Sequence, residues 1–214
     1  MDEKKDKRLG VVIIAAGDSS RLGQPKQLIK FRGMTLLERT IEIAEKISDK
    51  VVSVLGFQAD KFIGQLEIKS NQLIVNKNWQ LGMGSSIALG VSCLSDESTM
   101  SAPDAILVML CDQYRVSQGD LENLINEWNI TDKQIVASQY FDVKKNRFIE
   151  GAPAIFSDNY FSALRMLKEK GARDILRNNP QDLVSIQIDN AGFDLDTPDD
   201  LQHLRNLELN WEKT

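Results

Sequence analysis

LGVVIIAAGDSSRLGQPK, residues 9–26, decides the fold. Its first seven residues, Leu9 to Ala15, are apolar except for a glycine, with no alternation. A short continuous apolar run of this kind suits a strand buried on both faces, as in a parallel sheet covered by helices. The run stops at Ala16-Gly17-Asp18-Ser19-Ser20, where turn formers and charges take over. Downstream, Thr35-Leu36-Leu37-Glu38 has the spacing of a capping box, and Leu37, Ile41, Ala44 and Ile47 fall on one helical face. A second buried run, Val51 to Gly56, follows directly. Strand, helix and strand make one complete crossover unit.

The alternation continues to the end of the chain. Further strands are expected at 72–75, 105–111, 134–139, 153–156 and 184–188. Helices are expected near 59–66, 84–94, 118–128, 157–168, 172–178 and 198–209. This is the pattern of an α/β fold with a mostly parallel central sheet between helical layers. A charged tail, residues 1–8, precedes a single expected domain, 9–214. The polar stretch 95–104 is the best loop and is too short for a domain linker.

Composition removes several chemistries. The formal charge of −5 argues against a protein built to grip nucleic acid or an anionic membrane surface. No apolar run approaches the roughly 20 residues of a membrane span, and the charged start MDEKKDKRLG lacks a secretory signal. A cytoplasmic protein is expected. The single histidine, His203, is expected on the surface or partly packed in the last helix, which argues against a Ser-His-Asp triad, and one histidine cannot build a His-rich zinc site. Cys93 and Cys111 are expected to be buried, reduced thiols. A metal here would be held by oxygen ligands, which points to Mg²⁺ or a similar hard cation.

In an open α/β sheet, ligands bind outside the carboxyl ends of the strands. Three segments at such ends carry unusual residues. Ala15, Ala16 and Gly17 allow close approach to the backbone, and Arg21 and Lys26 add two cations suited to phosphates. The loop is neither a Walker A motif nor a dinucleotide-binding GxGxxG turn. Asp112 follows the aliphatic run 106–111, where it either forms a turn or ligates a cation. Asp194 and Asp196 share one side of an extended segment ahead of the helix opened by Thr197-Pro198. Trp128 is expected in the core, Trp79 either in the core or supporting the site, and Lys144-Lys145-Asn146-Arg147 in a solvated hairpin turn.

Ile14 to Lys26 resembles the AAGxSxRxGxPK signature of the MobA-like nucleotidyltransferases, which couple a nucleoside triphosphate to a phosphate and release pyrophosphate. Further blocks resemble the branch that makes molybdopterin cytosine dinucleotide. They are Asn76 to Ser86, Leu110 to Gln113, Gly151 to Phe156, Gly171-Ala172-Arg173 and Asp194 to Leu201. The resemblance implies a three-layer Rossmann-like nucleotidyltransferase fold and Mg²⁺-dependent transfer of CMP from CTP to molybdopterin. Ala15-Ala16 stands where the guanylyl branch carries Gly-Gly, which favours cytosine. By the same resemblance, Ala15, Ala16, Gly17, Ser19 and Ser20 would line the nucleotide, and Gly82, Ser85 and Ser86 would contact base and ribose. Arg21 and Lys26 would hold the phosphates. Asp112 would be the metal ligand, with Asp194 or Asp196 completing the site. Gly151 and Pro153 would lie near a phosphorylated pterin acceptor, and a molybdoenzyme would receive the product. Tyr114 departs from the family, which has proline there; it either varies the backbone locally or reshapes the acceptor side. The alternatives are a cytidylyltransferase for a sugar-alcohol phosphate and a non-catalytic nucleotide-binding accessory protein. An NAD-linked oxidoreductase would lack its glycine fingerprint.

Overall fold

A computed structural model describes residues 7–66, 68, 72–96, 102–143 and 145–211. Most of the N-terminal tail, residues 97–101 of the expected loop and Lys144 of the basic run lie outside the described residues. The chain runs β1 (Leu9–Ala15), β2 (Lys30–Phe31), β3 (Met34–Thr35), α1 (Leu36–Glu45), β4 (Lys50–Leu55), α2 (Ala59–Phe62) and β5 (Leu73–Val75). It continues through α3 (Met83–Leu94), β6 (Ala105–Leu110), α4 (Gln118–Ile130), β7 (Ile135–Asp142) and β8 (Arg147–Ser157). The last elements are α5 (Phe161–Arg165), α6 (Arg173–Asn178), β9 (Leu183–Gln187) and α7 (Pro198–Trp211).

The main sheet has the order β5-β4-β1-β6-β8-β7-β9. Four neighbouring pairs are parallel, and β8 runs antiparallel to both β6 and β7. All of β1 is buried, and its pleat splits it between two cores. Val11, Ile13 and Ala15 meet Leu37, Ile41, Leu121 and Leu124 on one face. Val12 and Ile14 meet Ile87, Val91, Leu164 and Leu176 on the other. Covering both faces is the physical reason for the unbroken apolar run. No helix among the described residues is long and apolar enough to cross a membrane.

The expected capping box opens α1, and a second one opens α4. The Thr35 hydroxyl accepts from the Glu38 N–H while the Glu38 carboxylate accepts from the Thr35 N–H, and Ser117 and Asp120 repeat the exchange. Trp128 is buried as expected and His203 is exposed. Cys111 is buried, but Cys93 is exposed, because it faces outward on α3. Residues 7 and 8 are not a loose tail: Lys7 donates to the Trp128 carbonyl at 2.9 Å and Arg8 pairs with Asp104 at 3.2 Å.

Two helices, a hairpin and one strand differ from expectation. The helices expected at 59–66 and 157–168 shorten to α2 and α5, each joined to a 3-10 turn. A small hairpin, β2–β3, turns through Arg32 and Gly33 at φ 54° and 81°, the left-handed region of a tight hairpin turn. β8 is eleven residues long rather than four. Gly151 and Pro153 weaken its strand signal, and a register shift opposite Ala137 and Ser138 accommodates them.

Helix α3 lies unusually close to the sheet. A Cβ on Gly90 would sit 2.4 Å from Val12 Cγ1 and 3.1 Å from Val54 Cγ2. Gly90→Ala is therefore expected to overpack this face and cost about 1–3 kcal/mol in urea unfolding, despite the better helix propensity of alanine. An unchanged midpoint would show that α3 can shift outward freely.

Candidate active site

The chain passes from β1 through β4 and β5 on one side, then returns to place β6 on the other. Ligand crevices form at such a reversal in strand order, and the three suspect segments meet there. The loop after β1, Asp112 after β6 and the 194–196 segment line one cavity of about 330 Å³.

Apolar neighbours hold these charged residues in place. Leu22, Tyr114 and Leu195 pack with Phe31, Leu36, Leu201 and Leu204 in a third buried cluster. Each flanks a site residue: Leu22 follows Arg21, Tyr114 lies two residues past Asp112, and Leu195 separates Asp194 from Asp196. Tyr114 thus belongs to the core beneath the site, edge-on to Phe31 with centroids 5.9 Å apart. The Leu195 N–H donates to the Asp112 carbonyl at 3.0 Å and ties two segments directly. Asp200 caps α7 by accepting from the Asp196 and Thr197 N–H groups, which sets the approach of Asp196.

Lys26 is the centre of the charge network. Its ammonium donates to Asp112 Oδ2 at 2.8 Å and to Asp196 Oδ1 at 2.5 Å. Arg21 Nη2 takes the other oxygen of Asp196 at 2.9 Å. The Lys26 side chain is only 15% exposed, whereas that of Arg21 is 67% exposed. Burial alone would lower the Lys26 pKa, but Asp112 and Asp196 outweigh it and hold the ammonium firmly charged.

Asp194 is the opposite case. Burial, then the charges of Asp112 and Asp196, push its carboxyl up to about 7, with Lys26 and Arg173 partly offsetting them. Its Oδ1 is buried with no hydrogen-bond partner among the described residues. A carboxylate oxygen left bare beside two further carboxylates fits a hard divalent cation with oxygen ligands. Among the described residues no three acidic, histidine or cysteine side chains are already grouped for ligation. A cation here would be completed by oxygens from a bound phosphate.

The other anticipated residues divide. Ala15, Ala16, Gly17, Ser19 and Ser20 line the cavity. Gly151 lines a second cavity of about 500 Å³ that shares Met83, Leu110 and Asp194 with the first. Pro153 lines neither: it is buried within β8, where its carbonyl accepts from the Ser138 hydroxyl at 2.7 Å. Gly82 and Gly84 lie against the backbone of residues 168–170, where a Cβ would come within 2.2–2.3 Å of a carbonyl oxygen. The Ser85 hydroxyl donates to the Gly82 carbonyl, and Ser86 is buried with its hydroxyl accepting from Asn76. These residues shape the start of α3.

Gln27 and Gln113 were given no role in the sequence reading. The Gln27 amide donates to the Ala15 carbonyl at 2.6 Å and the Gly17 carbonyl at 3.3 Å, shaping the first loop from within. Gln113 braces the far side through the Ala152 and Ala191 carbonyls at 2.9 and 2.8 Å. Its place directly after Asp112 was the one available signal. Trp79 supports the site: its ring meets Phe57 edge-on at 5.3 Å, and the Phe57 N–H donates to the Ala16 carbonyl.

Known proteins are similar to this chain in sequence and in fold. The chain is 29% identical over 200 residues to nicotine blue oxidoreductase of Paenarthrobacter nicotinovorans, spanning 90% of this chain and 94% of that protein. It is 22% identical over 192 residues to molybdenum cofactor cytidylyltransferase of Escherichia coli K12, spanning 88% and 91%. The crystal structure of Rv0371c from Mycobacterium tuberculosis superposes with a TM-score of 0.76 at 25% identity, covering 92% of this chain and 97% of that one. A manganese complex of Rv0371c has also been solved. The profile of the MobA-like NTP transferase domain matches residues 11–183, which cover the first loop, α3, Asp112 and the β7–β8 pair, and this chain belongs to that family of nucleotidyltransferases.

Proposed function

We propose that this protein is a cytoplasmic enzyme that transfers CMP from CTP to the terminal phosphate of molybdenum-bound molybdopterin, releasing pyrophosphate. The observation that carries the reading is the Lys26 ammonium held between Asp112 and Asp196 beside a loop of small residues. The likeness to a molybdenum cofactor cytidylyltransferase supports the choice of substrates. The family match ends at residue 183, yet Asp194 and Asp196 complete the charge network, so 9–214 is read as one catalytic domain.

In this reading an oxygen of the acceptor phosphate attacks the α-phosphorus of CTP. The bond from that phosphorus to the bridging oxygen breaks, and its electron pair leaves with pyrophosphate. Nucleotidyl transfer asks the protein for position and charge rather than proton transfer, so the lack of a histidine base is no handicap. Lys26 neutralises charge growing at the α-phosphate, while Arg21, oriented by Asp196, faces the departing pyrophosphate. Asp112, with Asp194 or Asp196, would hold Mg²⁺, which when bound supplies further positive charge to the phosphates. Ser19 and Ser20 offer hydroxyls and loop amides, and the product would pass to a molybdoenzyme.

Thermal unfolding of the wild type and Asp112→Ala with CTP, GTP, ATP, UTP or NADPH, each with Mg²⁺, tests this. A ligand at about 100 times its Kd adds roughly 2.7 kcal/mol. The expected result is stabilisation by CTP above the other nucleotides, reduced in Asp112→Ala. A larger shift with GTP would overturn the cytosine preference. A shift with NADPH alone would favour a redox reaction, as in the name of the nicotine blue relative.

A further inference from the structure

The acids of the 194–196 segment reach the site only while that segment keeps one rotational setting. Asp194 and Asp196 both line the first cavity, whereas Leu195 between them is fully buried in the third apolar cluster. This is the alternation of extended chain, so Phe193 falls on the side of Leu195. In such chain a slip of one residue turns every side chain to the opposite face. Whatever grips residues 193 and 195 therefore decides where the acids point.

Two consecutive residues after β6 supply the grip. Tyr114 is buried and shares the third cluster with Leu195. Arg115 lays its guanidinium on the ring of Phe193, 3.7 Å from the centroid. Its Nε is buried with no hydrogen-bond partner among the described residues, so packing on the ring, not a bond at that nitrogen, places it. Leaving a guanidinium nitrogen buried and unpaired is costly; a desolvated cation–π contact offsets that cost. Beside this stack, the Leu195 N–H donates to the Asp112 carbonyl at 3.0 Å and fixes the register. Arg115 and Phe193 line neither cavity. Their influence on the site runs through the backbone that carries the acids.

We propose that Arg115 is a positioning residue: stacked on Phe193, it locks residues 193–196 in the setting that presents Asp194 and Asp196 to a divalent cation. This rests on the nucleotidyl-transfer reading and deepens its metal site by a residue that acts only through Phe193.

Electron paramagnetic resonance of Mn²⁺ titrated with the full chain, without nucleotide, reads that site directly, water standing in for phosphate oxygens. Arg115→Ala is expected to weaken Mn²⁺ binding about tenfold, the scale of losing a group that orients metal ligands. The direction is diagnostic, because removing a positive charge without moving the acids would tighten the binding of a cation. Phe193→Leu leaves every charge in place and should weaken Mn²⁺ by a similar factor. The double variant should lose little more, since the two side chains act as a unit. Arg115→Lys keeps the charge without the planar stack and should recover only part of the affinity. A merely structural role would lower the urea midpoint and leave the Mn²⁺ affinity of the folded protein unchanged. Wild-type or tighter Mn²⁺ binding in Arg115→Ala, wild-type binding in Phe193→Leu, or no Mn²⁺ binding by the wild type overturns the proposal. The CTP-induced thermal shift of the wild type judges the nucleotidyl-transfer reading separately, because the Mn²⁺ titration contains no nucleotide.

Discussion

Lys26→Met is expected to reduce pyrophosphate release by about 100-fold or more, the usual effect of removing one charge-stabilising donor from a phosphoryl or acyl transfer site. It should also destabilise the protein, which residue type alone does not reveal. Both substitutions of the loop cations would be expected from sequence to change turnover more than folding. In the structure, Lys26 is largely shielded and is the shared partner of Asp112 and Asp196. Removing it leaves these carboxylates facing Asp194 without their central counter-charge. Breaking such a pair from one side costs on the order of 3 kcal/mol. Arg21→Met is the contrasting control, because its ion pair is mostly in solvent and contributes little to stability. That variant should lose turnover, about tenfold, with a stability change within about 0.5 kcal/mol. Urea unfolding and a pyrophosphate-release assay on both proteins measure the contrast. Wild-type turnover in Lys26→Met would remove this lysine from the chemistry.

Asp194→Asn is expected to stabilise the ligand-free protein at pH 8 and to abolish most turnover. The folded protein holds the Asp194 proton to about 7, well above the ordinary carboxyl value of 3.8. A carboxyl with a raised folded pKa contributes stability that is fully present below about pH 4. That contribution fades as pH rises through 4 to 7, because the folded state must then bury a charge that the unfolded chain exposes to water. At about 1.4 kcal/mol per pKa unit the loss is on the order of 4 kcal/mol by pH 8. Asparagine carries no such penalty, so its stability curve should be flatter between pH 4 and 8 and lie above wild type at the alkaline end. A binding site that is costly to the empty fold is a common form of stability–function conflict. Superimposable pH–stability curves for the two proteins would show that Asp194 is not an ionisable group held against its preference.

Much of this site could be read locally. Asp194 and Asp196 share one side of an extended segment because strand-like backbone alternates, and both reach the same cavity. The turn formers after β1 marked a candidate ligand loop, and its small residues line that cavity. Pro153 and Ser86 show the limit of carrying roles over by motif. A motif marks a segment, but burial decides which members can touch a ligand, and Pro153 and Ser86 face inward. Arg173 was marked only as part of the Gly171-Ala172-Arg173 block, with no role attached. It is one of many helix-borne arginines until Tyr140, 33 residues away, orients it.

The sequence by itself determined the kinds of elements and nearly all their positions. Apolar periodicity, caps and turn residues act over a few positions, and they were sufficient to write the strand–helix alternation and the buried character of β1. Only the tertiary structure decided which strand ends face one another. Lys26 meets carboxylates 86 and 170 residues away, a pairing set by the order of strands in the sheet. The third apolar cluster then clamps the loops through Leu22, Tyr114 and Leu195. Strand order minimises exposed apolar surface across the whole chain, a collective quantity that no window of neighbouring residues contains.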